Sequence, residues 1–334
     1  MNSEILSLTI AQAYKTYPFL DDFFLSCAIQ PPVKTDMRTF EQWLEDLEYF
    51  TLDEIGLDRD ELPGLLERFI IRMLERCSGE QLNVESITIM SGCDKDGNPE
   101  VPELTLKKGD VVSIVGATGS GKSRLLSDIE WLAQGDTPTK RRVLINGQIP
   151  PQSLRFSIDK KPVAQLSQTM NFVMDITVEK FLHIHCDSHM IKDKDKKAKE
   201  ILRAANLLSG EALKMDMPVT SLSGGQSRAL MIADTAYIST APIVVIDELE
   251  NAGINRKNAI ELLLKAEKIV LMATHDPVLA LQADRRIVIK NGGIQRVIKT
   301  TDSERAVLAE LERMNEKIMQ CRERMRNGDL VESI

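Results

Sequence analysis

Residues 111–123, VVSIVGATGSGKS, join a short apolar run to a glycine-rich segment. The apolar run Val111–Val115 predicts a buried strand, and the residues from Lys122 onward predict a helix. Glycines at positions 116, 119 and 121 can adopt backbone angles that turn successive amide N–H groups inward. A strand, a glycine-rich turn and a helix in this order therefore predict a concave site for an anion.

The segment 116–123 also matches the pattern G-x-x-x-x-G-K-[ST] of a phosphate-binding loop. The N-terminus of the following helix adds a partial positive charge to the site. Lys122 supplies a full charge for the β- and γ-phosphates of a nucleotide, and the Ser123 hydroxyl is placed to ligate Mg²⁺. We therefore predict that nucleotide phosphates contact the whole loop: Gly116, Ala117, Thr118, Gly119, Ser120, Gly121, Lys122 and Ser123.

Composition restricts the classes of protein that can carry this loop. The chain has 334 residues, a length that suggests two domains or one large domain with appendages, and its 28% charged and 43% hydrophobic residues are typical of a globular protein. The net charge of −8 disfavours broad binding to nucleic acid. No apolar run approaches the length of a membrane span, and MNSEILSLTI lacks the features of an export signal. We expect a cytoplasmic protein that meets a membrane only through a partner.

The cysteines and histidines offer one candidate metal site. The five cysteines are scattered and form no C-x-x-C pair, which favours free thiols. Within HIHCDSH (residues 183–189), His185 and His189 share a helix face, as do Cys186 and His189. This spacing suits a transition metal, but a helix end with surface histidines and one buried thiol is the more common explanation. We therefore assign no metal to this segment.

The chain divides into three regions by pattern. Residues 1–80 predict a compact helical domain, in which most of the aromatic residues concentrate. Residues 81–300 predict an α/β domain with a mainly parallel core sheet and a helical subdomain at about 169–222. Residues 301–334 predict a helical extension. Strand candidates besides the opening one are 142–146, 163–166, 243–246, 269–273 and 286–290.

The C-terminal extension has a narrow apolar seam. Apolar residues repeat at alternating steps of four and three, with charged residues between them, at Val307, Leu311, Met314, Ile318, Cys321 and Met325. This pattern fits either a two-stranded coiled coil or a helix that lies across the body of its own chain, and the second is more common at this length.

A second glycine motif, LSGGQ at residues 222–226, precedes another predicted helix. Its serine hydroxyl and glycine amides can present donors to a phosphate at a helix N-terminus. One nucleotide does not easily need two such anion sites from one subunit. Two subunits that face each other head to tail, each offering this motif to the other's nucleotide, satisfy both sites. The contacting residues are then Ser223, Gly224, Gly225 and Gln226.

From about residue 82 to 297 the sequence resembles the ABC-class ATPases, since five motifs follow one another in that family's order. The phosphate loop comes first, and a Q-loop glutamine follows at Gln168 in VAQLSQTMNF. The signature LSGGQSRALMIA is next, and APIVVIDE then ends a strand at Asp247 and Glu248. LMATHDP places His275 at the H-loop position. The resemblance implies a P-loop NTPase fold of ABC type with an atypical N-terminal helical domain.

The resemblance also gives these residues roles that suit their chemistry. Asp247 would hold Mg²⁺ through water, with Ser123 and Gln168 as further metal contacts. Glu248 would be the general base or orienter of the attacking water. His275 would contact the γ-phosphate, and Gln168 would sense both the γ-phosphate and Mg²⁺. ATP hydrolysis would then rest on positioning and charge stabilisation, and closure of an ATP-bound dimer would be the mechanical step.

Three departures from the family pattern bear on its function. Residues 85–91, where the family usually has an aromatic residue that stacks on adenine, contain none. The segment LENAGIN after Glu248 puts Ile254 or Asn255 where an aspartate is usual. The stretch from Glu248 to His275 is also shorter than usual. The first departure puts base selectivity in question, and the second concerns communication across the dimer.

Several biological roles remain open at this point. The complete helical insertion and Q-loop favour the ATPase subunit of a membrane transporter whose spanning subunits are separate chains. The N-terminal domain, the altered segment after Glu248 and the terminal helix favour a soluble ATPase that remodels or matures a protein or metalloenzyme complex. A nucleic-acid maintenance ATPase conflicts with the acidic balance, and a non-hydrolysing regulatory module conflicts with Glu248 and His275. The ATPase partner is either a second copy or a related chain.

Overall fold

A computed structural model describes residues 6–17, 19–27, 29–46, 61–77, 83–101, 103–156, 161–167, 172–189, 191, 193–248 and 254–331. The chain forms two compact units, residues 1–81 and residues 82–334. Each unit has hydrophobic clusters of its own.

The described part of the first unit is helical. Its helices are α1 (Ile10–Thr16), α2 (Leu20–Ser26), α3 (Phe40–Asp46) and α4 (Leu62–Cys77). Helices α1 and α3 begin in the same way, because Thr9 and Thr39 each exchange hydrogen bonds with the glutamine three residues later. The backbones of the two threonines also pair in an antiparallel bridge, so the N-termini of the two helices lie side by side.

Aromatic packing holds this unit together. Phe24 lies 5.4 Å from both Phe23 and Trp43, between ring centroids, and stacks on Phe40 at 6.0 Å. All four side chains are buried. Because each aromatic side chain removes a large apolar area from water, this cluster supplies much of the core that a unit of this size needs.

The second unit contains a six-stranded sheet in the order β5-β6-β7-β3-β8-β9. The first five strands in this order run parallel, and β9 pairs antiparallel with β8. Central strands β3, β6 and β7 are almost wholly buried, as expected for a parallel sheet covered on both faces. The strands are β3 (Val111–Val115), β5 (Val163–Leu166), β6 (Ile243–Asp247), β7 (Ile269–Ala273), β8 (Arg285–Lys290) and β9 (Gly293–Lys299).

A separate antiparallel sheet, in the order β2-β1-β4, packs into the same hydrophobic cluster as part of the main sheet. It consists of β1 (Ser86–Met90), β2 (Glu103–Lys107) and β4 (Arg142–Ile145). The strand predicted at 142–146 therefore exists, but it belongs to this sheet and not to the parallel one. Its residues alternate between exposed or half-buried and buried, which is the pattern of an antiparallel strand with one covered face.

Helices cover the sheet and form the insertion. Helix α5 (Lys122–Glu130) follows the phosphate loop, and α6 (Gln152–Phe156) precedes β5. The insertion contains α7 (Val178–Ser188), α8 (Lys194–Leu208) and a 3₁₀ turn at Val219–Ser221, after which α9 (Gly224–Tyr237) returns to the sheet. Helix α10 (Arg256–Lys265) connects β6 to β7, and α11 (Pro277–Gln282) connects β7 to β8.

The last helix, α12 (Asp302–Arg326), attaches to the second unit mainly by its first half. Glu304 pairs with Arg286, Arg305 lies 3.1 Å from Asp284, and Glu312 accepts a hydrogen bond from Gln282 at 3.4 Å. Apolar residues of its second half, among them Met314 and Ile318, stay exposed. The first half thus lies across the body of its own chain, and the coiled-coil alternative stays a prediction for the second half. No described helix is both long and apolar enough to cross a membrane.

Candidate functional site

The loop at residues 116–123 connects the end of β3 to the start of α5. Gly121 precedes the helix with φ 109°, and a Cβ atom there would lie 2.9 Å from Cα of Gly292. Both the backbone angle and the close approach require glycine at this position. The Ser120 hydroxyl is buried and has no hydrogen-bond partner in the described part of the chain. A phosphate in the loop would supply the acceptor that this hydroxyl lacks.

Lys122 is buried within the loop, with 6% of its surface exposed. Its Nζ atom donates to the carbonyl oxygens of Gly116 at 3.0 Å and Ala117 at 3.3 Å. Nζ also lies 2.9 Å from Nε2 of His275. Because an ammonium group only donates, Nε2 acts as acceptor in this contact, and the ring proton is then on Nδ1. The lysine and the histidine, 153 residues apart, thus meet over the loop.

Two oxygen ligands suited to Mg²⁺ lie beside the loop. The Ser123 hydroxyl, in the first turn of α5, donates to Oδ2 of Asp247 at 3.0 Å. Asp247 is the last residue of β6, so the strand end and the helix start bring the two side chains together. A hydroxyl and a carboxylate are the hard oxygen donors that Mg²⁺ prefers. The residues present therefore fit this metal.

Glu248 follows β6 in an unusual backbone conformation. Its φ angle is 52°, in the left-handed region that costs a residue with a side chain conformational energy. Its backbone N–H donates to the carbonyl of Ala273 at 3.1 Å, which fixes the residue against β7. Oε1 lies 4.0 Å from Nε2 of His275. Such strain at a residue beside the phosphate loop is typical of a functional position.

The signature motif begins α9. The Ser223 hydroxyl accepts from the backbone N–H of Gln226 at 3.3 Å, and Oε1 of Gln226 accepts from the backbone N–H of Ser223 at 2.9 Å. Gln226 is 5% exposed and also donates to the Ala212 carbonyl at 3.3 Å. Ser223 and Gly224 are exposed. The Gln226 side chain is thus engaged within the subunit, where it positions Ser223, and its predicted contact with nucleotide stays a prediction, as do those of Ser223, Gly224 and Gly225.

Two predicted features lie outside the described residues. One is Gln168, which follows β5 after Ser167, and the other is most of the LENAGIN segment, residues 249–253. The structure therefore brings together Lys122, Ser123, Asp247, Glu248 and His275 without testing the Q-loop.

The HIHCDSH segment spreads its side chains over different partners. Nδ1 of His185 lies 2.9 Å from Oδ2 of Asp234 on α9, while Nε2 of His183 lies 3.1 Å from Oδ1 of Asp195. Cys186 is buried, and this burial raises the pKa of its thiol. Within the described residues, no group of three histidine, cysteine or acidic side chains is arranged to hold a metal. These side chains therefore have separate partners, and the expectation that the segment holds no metal stays a prediction.

The His185–Asp234 pair makes stability depend on pH. The hydrogen bond from His185 to the Asp234 carboxylate raises the pKa of the imidazole above its ordinary 6.5, against the opposing effect of burial. The stabilisation is then fully present below about pH 6.5 and is lost as the pH rises through the higher pKa of the folded state. We expect Asp234→Asn to lower the pKa of His185 in an NMR titration and to remove this pH dependence from urea unfolding. Asp195→Asn, which removes an exposed carboxylate nearby, serves as control, and an unchanged His185 titration in Asp234→Asn would contradict the assignment.

Sequence reasoning missed a buried ion network behind the loop. Arg141, fully buried, pairs with Glu100 at 2.6 Å and with Asp128 of α5 at 2.8 Å, and it donates to the Gly292 carbonyl at 2.9 Å. Gly292 in turn donates its N–H to the Ser120 carbonyl at 2.7 Å. No local spacing signals this network, because its members come from separate segments. The only sequence signal for this network was a charged residue, Arg141, directly before the strand predicted at 142–146.

Comparison with known proteins agrees with this geometry. A family profile described as "ABC transporter" matches residues 100–251. The uncharacterised ABC transporter ATP-binding protein MJ0121 of Methanocaldococcus jannaschii is 51% identical over 249 residues, which cover 74% of this chain and 95% of that protein. About a quarter of this chain has no counterpart in that match.

More distant relatives are longer. The macrolide export ATP-binding/permease protein MacB of Shewanella sp. (strain W3-18-1) is 28% identical over 230 residues, which cover 64% of this chain. The match spans only 34% of that protein's length. A solved structure of the ATP-binding subunit of an ABC transporter shares the fold with a TM-score of 0.50 at 18% identity, over 66% of this chain and 92% of that one.

Proposed function

Because this chain belongs to the ABC transporter family of ATP-binding proteins, whose members hydrolyse ATP, we propose that it works as a dimer that drives conformational change in separate membrane-spanning transporter subunits. The observation that carries the proposal is the convergence of five side chains at one edge of the parallel sheet: Lys122, Ser123, Asp247, Glu248 and His275. On this proposal the protein is cytoplasmic, and the membrane is reached through those subunits.

Each side chain has a task that its contacts support. Lys122 exchanges the carbonyl oxygens of its own loop for the β- and γ-phosphates, which are stronger partners because they are charged. Ser123 and Asp247 would hold Mg²⁺, which would supply positive charge to offset that of the phosphate oxygens. Gln168 of the Q-loop would sense the γ-phosphate and Mg²⁺. Ser223, Gly224 and Gly225 of a facing subunit close the site on its other side, in agreement with the exposure of Ser223 and Gly224.

The hydrolytic step uses Glu248 and His275. Water attacks the γ-phosphorus, the bond from this phosphorus to the bridging oxygen breaks, and ADP leaves with the bond's electron pair. The water proton passes to the Glu248 carboxylate, which the strained backbone and the hydrogen bond to Ala273 hold in place. His275, 4.0 Å from Glu248 and 2.9 Å from Lys122, keeps the water and the γ-phosphate aligned.

A surface feature near the Q-loop suits contact with a partner protein. Val173 and Met174, directly after the Q-loop segment, are 94% and 54% exposed. Two adjacent exposed apolar residues at the entrance to the helical insertion suit contact with another protein.

The second candidate, a soluble ATPase that remodels or matures a protein complex, is favoured by the acidic helical unit at the N-terminus. This unit has sixteen Asp and Glu residues against seven Lys and Arg residues over positions 1–81.

Affinity capture of the tagged full chain, in mild detergent, from cells that produce it naturally, separates the two candidates. We expect membrane-spanning proteins to co-purify with the wild-type chain. Val173→Asp should reduce their recovery by about tenfold, since a desolvated charge opposes an apolar contact, while ATP hydrolysis stays unchanged. Leu330→Asp, a similar change at an exposed apolar residue near the C-terminus, is the matched control. Recovery of a soluble assembly without spanning proteins would favour the remodelling role instead.

A further inference from the structure

We propose that Lys95 is a second phosphate-binding lysine of the nucleotide site, contacting the α- and β-phosphates from the segment between β1 and β2. The inference rests on the proposed function, since it concerns the same nucleotide. Its starting point is one contact: Nζ of Lys95 lies 3.3 Å from the carbonyl oxygen of Gly119, in the middle of the phosphate loop.

The backbone at Lys95 is held rigidly. Asp94 accepts hydrogen bonds from the N–H groups of Asp96 at 2.9 Å and Asn98 at 2.8 Å, which closes a tight turn. The N–H of Lys95 donates to the Asn291 carbonyl at 2.9 Å, and the Asn291 side chain donates to Asp96 at 2.7 Å. The turn is therefore fastened to the β8–β9 hairpin, and Lys95 is presented from a fixed base.

The same hairpin holds the phosphate loop. Gly292 donates to the Ser120 carbonyl at 2.7 Å, and its own carbonyl accepts from buried Arg141. Arg141 also binds Glu100, which belongs to the same segment between β1 and β2 as Lys95. Lys95 and the loop thus share one anchor, so the backbone that carries the lysine is already fixed relative to the phosphate loop before nucleotide binds. Pre-ordering of this kind reduces the entropy lost on binding.

The charge of Lys95 is available for a phosphate. In the part of the chain that the structure describes, Lys95 forms no ion pair, and a neutral carbonyl is its hydrogen-bond acceptor. The adjacent Asp94 and Asp96 are engaged by backbone amides and by Asn291. The backbone N–H groups of the loop cradle the α- and β-phosphates and Lys122 reaches the β- and γ-phosphates, so a lysine held at Gly119 adds positive charge beside the phosphates that the loop encloses.

The position of Lys95 also bears on the missing aromatic residue that would stack on adenine. Residues 83–101 contain no Phe, Tyr or Trp, so this segment offers no ring on which a base could stack. A phosphate contact would compensate for part of the lost affinity without distinguishing one base from another. The inference therefore predicts that ATP and GTP depend on Lys95 to the same extent.

The test measures dissociation constants of ATP, GTP and ADP for the purified full chain by isothermal titration calorimetry. A hydrogen bond between charged groups contributes enough that Lys95→Ala should weaken all three nucleotides by about tenfold. Lys95→Arg keeps the charge and should stay within about threefold of wild type. The difference between Lys95→Ala and wild type should shrink at high salt, because salt screens an exposed ammonium–phosphate pair.

Two further variants separate the possible outcomes. Lys108→Ala removes the same charge at the opposite end of β3, where Lys108 pairs with Glu267, and should bind nucleotide like wild type. Lys122→Ala tests the site itself. If Lys122→Ala binds nucleotide as tightly as wild type, or if neither protein binds nucleotide, the proposed function fails and this inference fails with it. If Lys122→Ala loses binding while Lys95→Ala matches wild type, or Lys95→Arg is as weak as Lys95→Ala, the inference alone is overturned.

Discussion

Replacing Glu248 with glutamine is expected to slow ATP hydrolysis by about 10²–10⁴-fold while Mg-ATP still binds. Glutamine has nearly the shape of glutamate, so the φ angle of 52° and the hydrogen bond to Ala273 can persist. What is lost is a carboxylate able to accept the proton of the attacking water. Phosphate release at saturating Mg-ATP measures the rate, and calorimetry measures the retained binding.

The same variant should accumulate as an ATP-bound dimer. If closure of two subunits precedes hydrolysis and hydrolysis reopens them, a protein that binds but does not hydrolyse ATP stays closed. Gel filtration with Mg-ATP in the column buffer should show a molecular mass twice that of the chain. A variant that stays monomeric under saturating Mg-ATP would contradict the two-subunit mechanism, whatever its rate of hydrolysis.

The chain offers a close control for this experiment. Glu267 also has a left-handed backbone, with φ 55°, and is exposed at the turn before β7, where it pairs with Lys108. Glu267→Gln makes the same chemical change in the same kind of conformation, far from the phosphate loop. It should hydrolyse ATP at the wild-type rate. Equal losses in both variants would mean that the effect of Glu248→Gln is structural.

The parts of the site that sequence could predict are those carried by short motifs at the ends of buried strands. The runs that became β3, β6 and β7 are mostly apolar because both faces of a parallel sheet are covered. Since parallel strands end at the same edge, the residues after β3, β6 and β7 had to converge there. Ser123, Asp247 and His275 do so. The fold class predicted from the sequence is confirmed.

The parts that sequence could not predict depend on contacts between distant segments. The segment 142–146 has the period of a strand, but its apolar residues do not say which sheet it joins. It pairs with β1, more than fifty residues earlier. Lys95 and Arg141 belong to no motif, and their importance comes from the β8–β9 hairpin, about 150 to 200 residues away. Periodicity and motif spacing carry no information about such pairings.

Removing Arg141 should destabilise the second unit more than any surface substitution. Arg141 is fully buried, and its guanidinium group binds Glu100 through two nitrogens, at 2.6 and 3.1 Å, and Asp128 through a third at 2.8 Å. Arg141→Met leaves two buried carboxylates without this partner, and a stranded buried charge costs about 3–5 kcal/mol. Arg124 offsets part of this at Asp128, since its Nε lies 3.6 Å from Oδ1. The removal of Arg141 should therefore destabilise the carboxylate of Glu100 more than that of Asp128.

Urea unfolding followed by tryptophan fluorescence measures this cost. The two tryptophans lie in different units, so a Trp43→Phe background leaves Trp131, at the end of α5, as the reporter of the second unit. In this background we expect the free energy of unfolding to fall by about 3–5 kcal/mol in Arg141→Met. The exposed pair Lys108–Glu267 provides the control, since Lys108→Ala should cost less than about 1 kcal/mol.

A further substitution decides whether stranded charge is the cause. Adding Glu100→Gln and Asp128→Asn to Arg141→Met neutralises both carboxylates while keeping their size, so part of the lost stability should return if the cost is electrostatic. If the triple variant is as unstable as Arg141→Met, the loss comes from packing and from the unpaired Gly292 carbonyl. Since Gly292 also holds Ser120, nucleotide affinity should fall in Arg141→Met and stay low in the triple variant. Stability and affinity would then respond differently, because neutral amides in place of the two carboxylates remove the buried charge but do not restore the arginine donor that binds the Gly292 carbonyl.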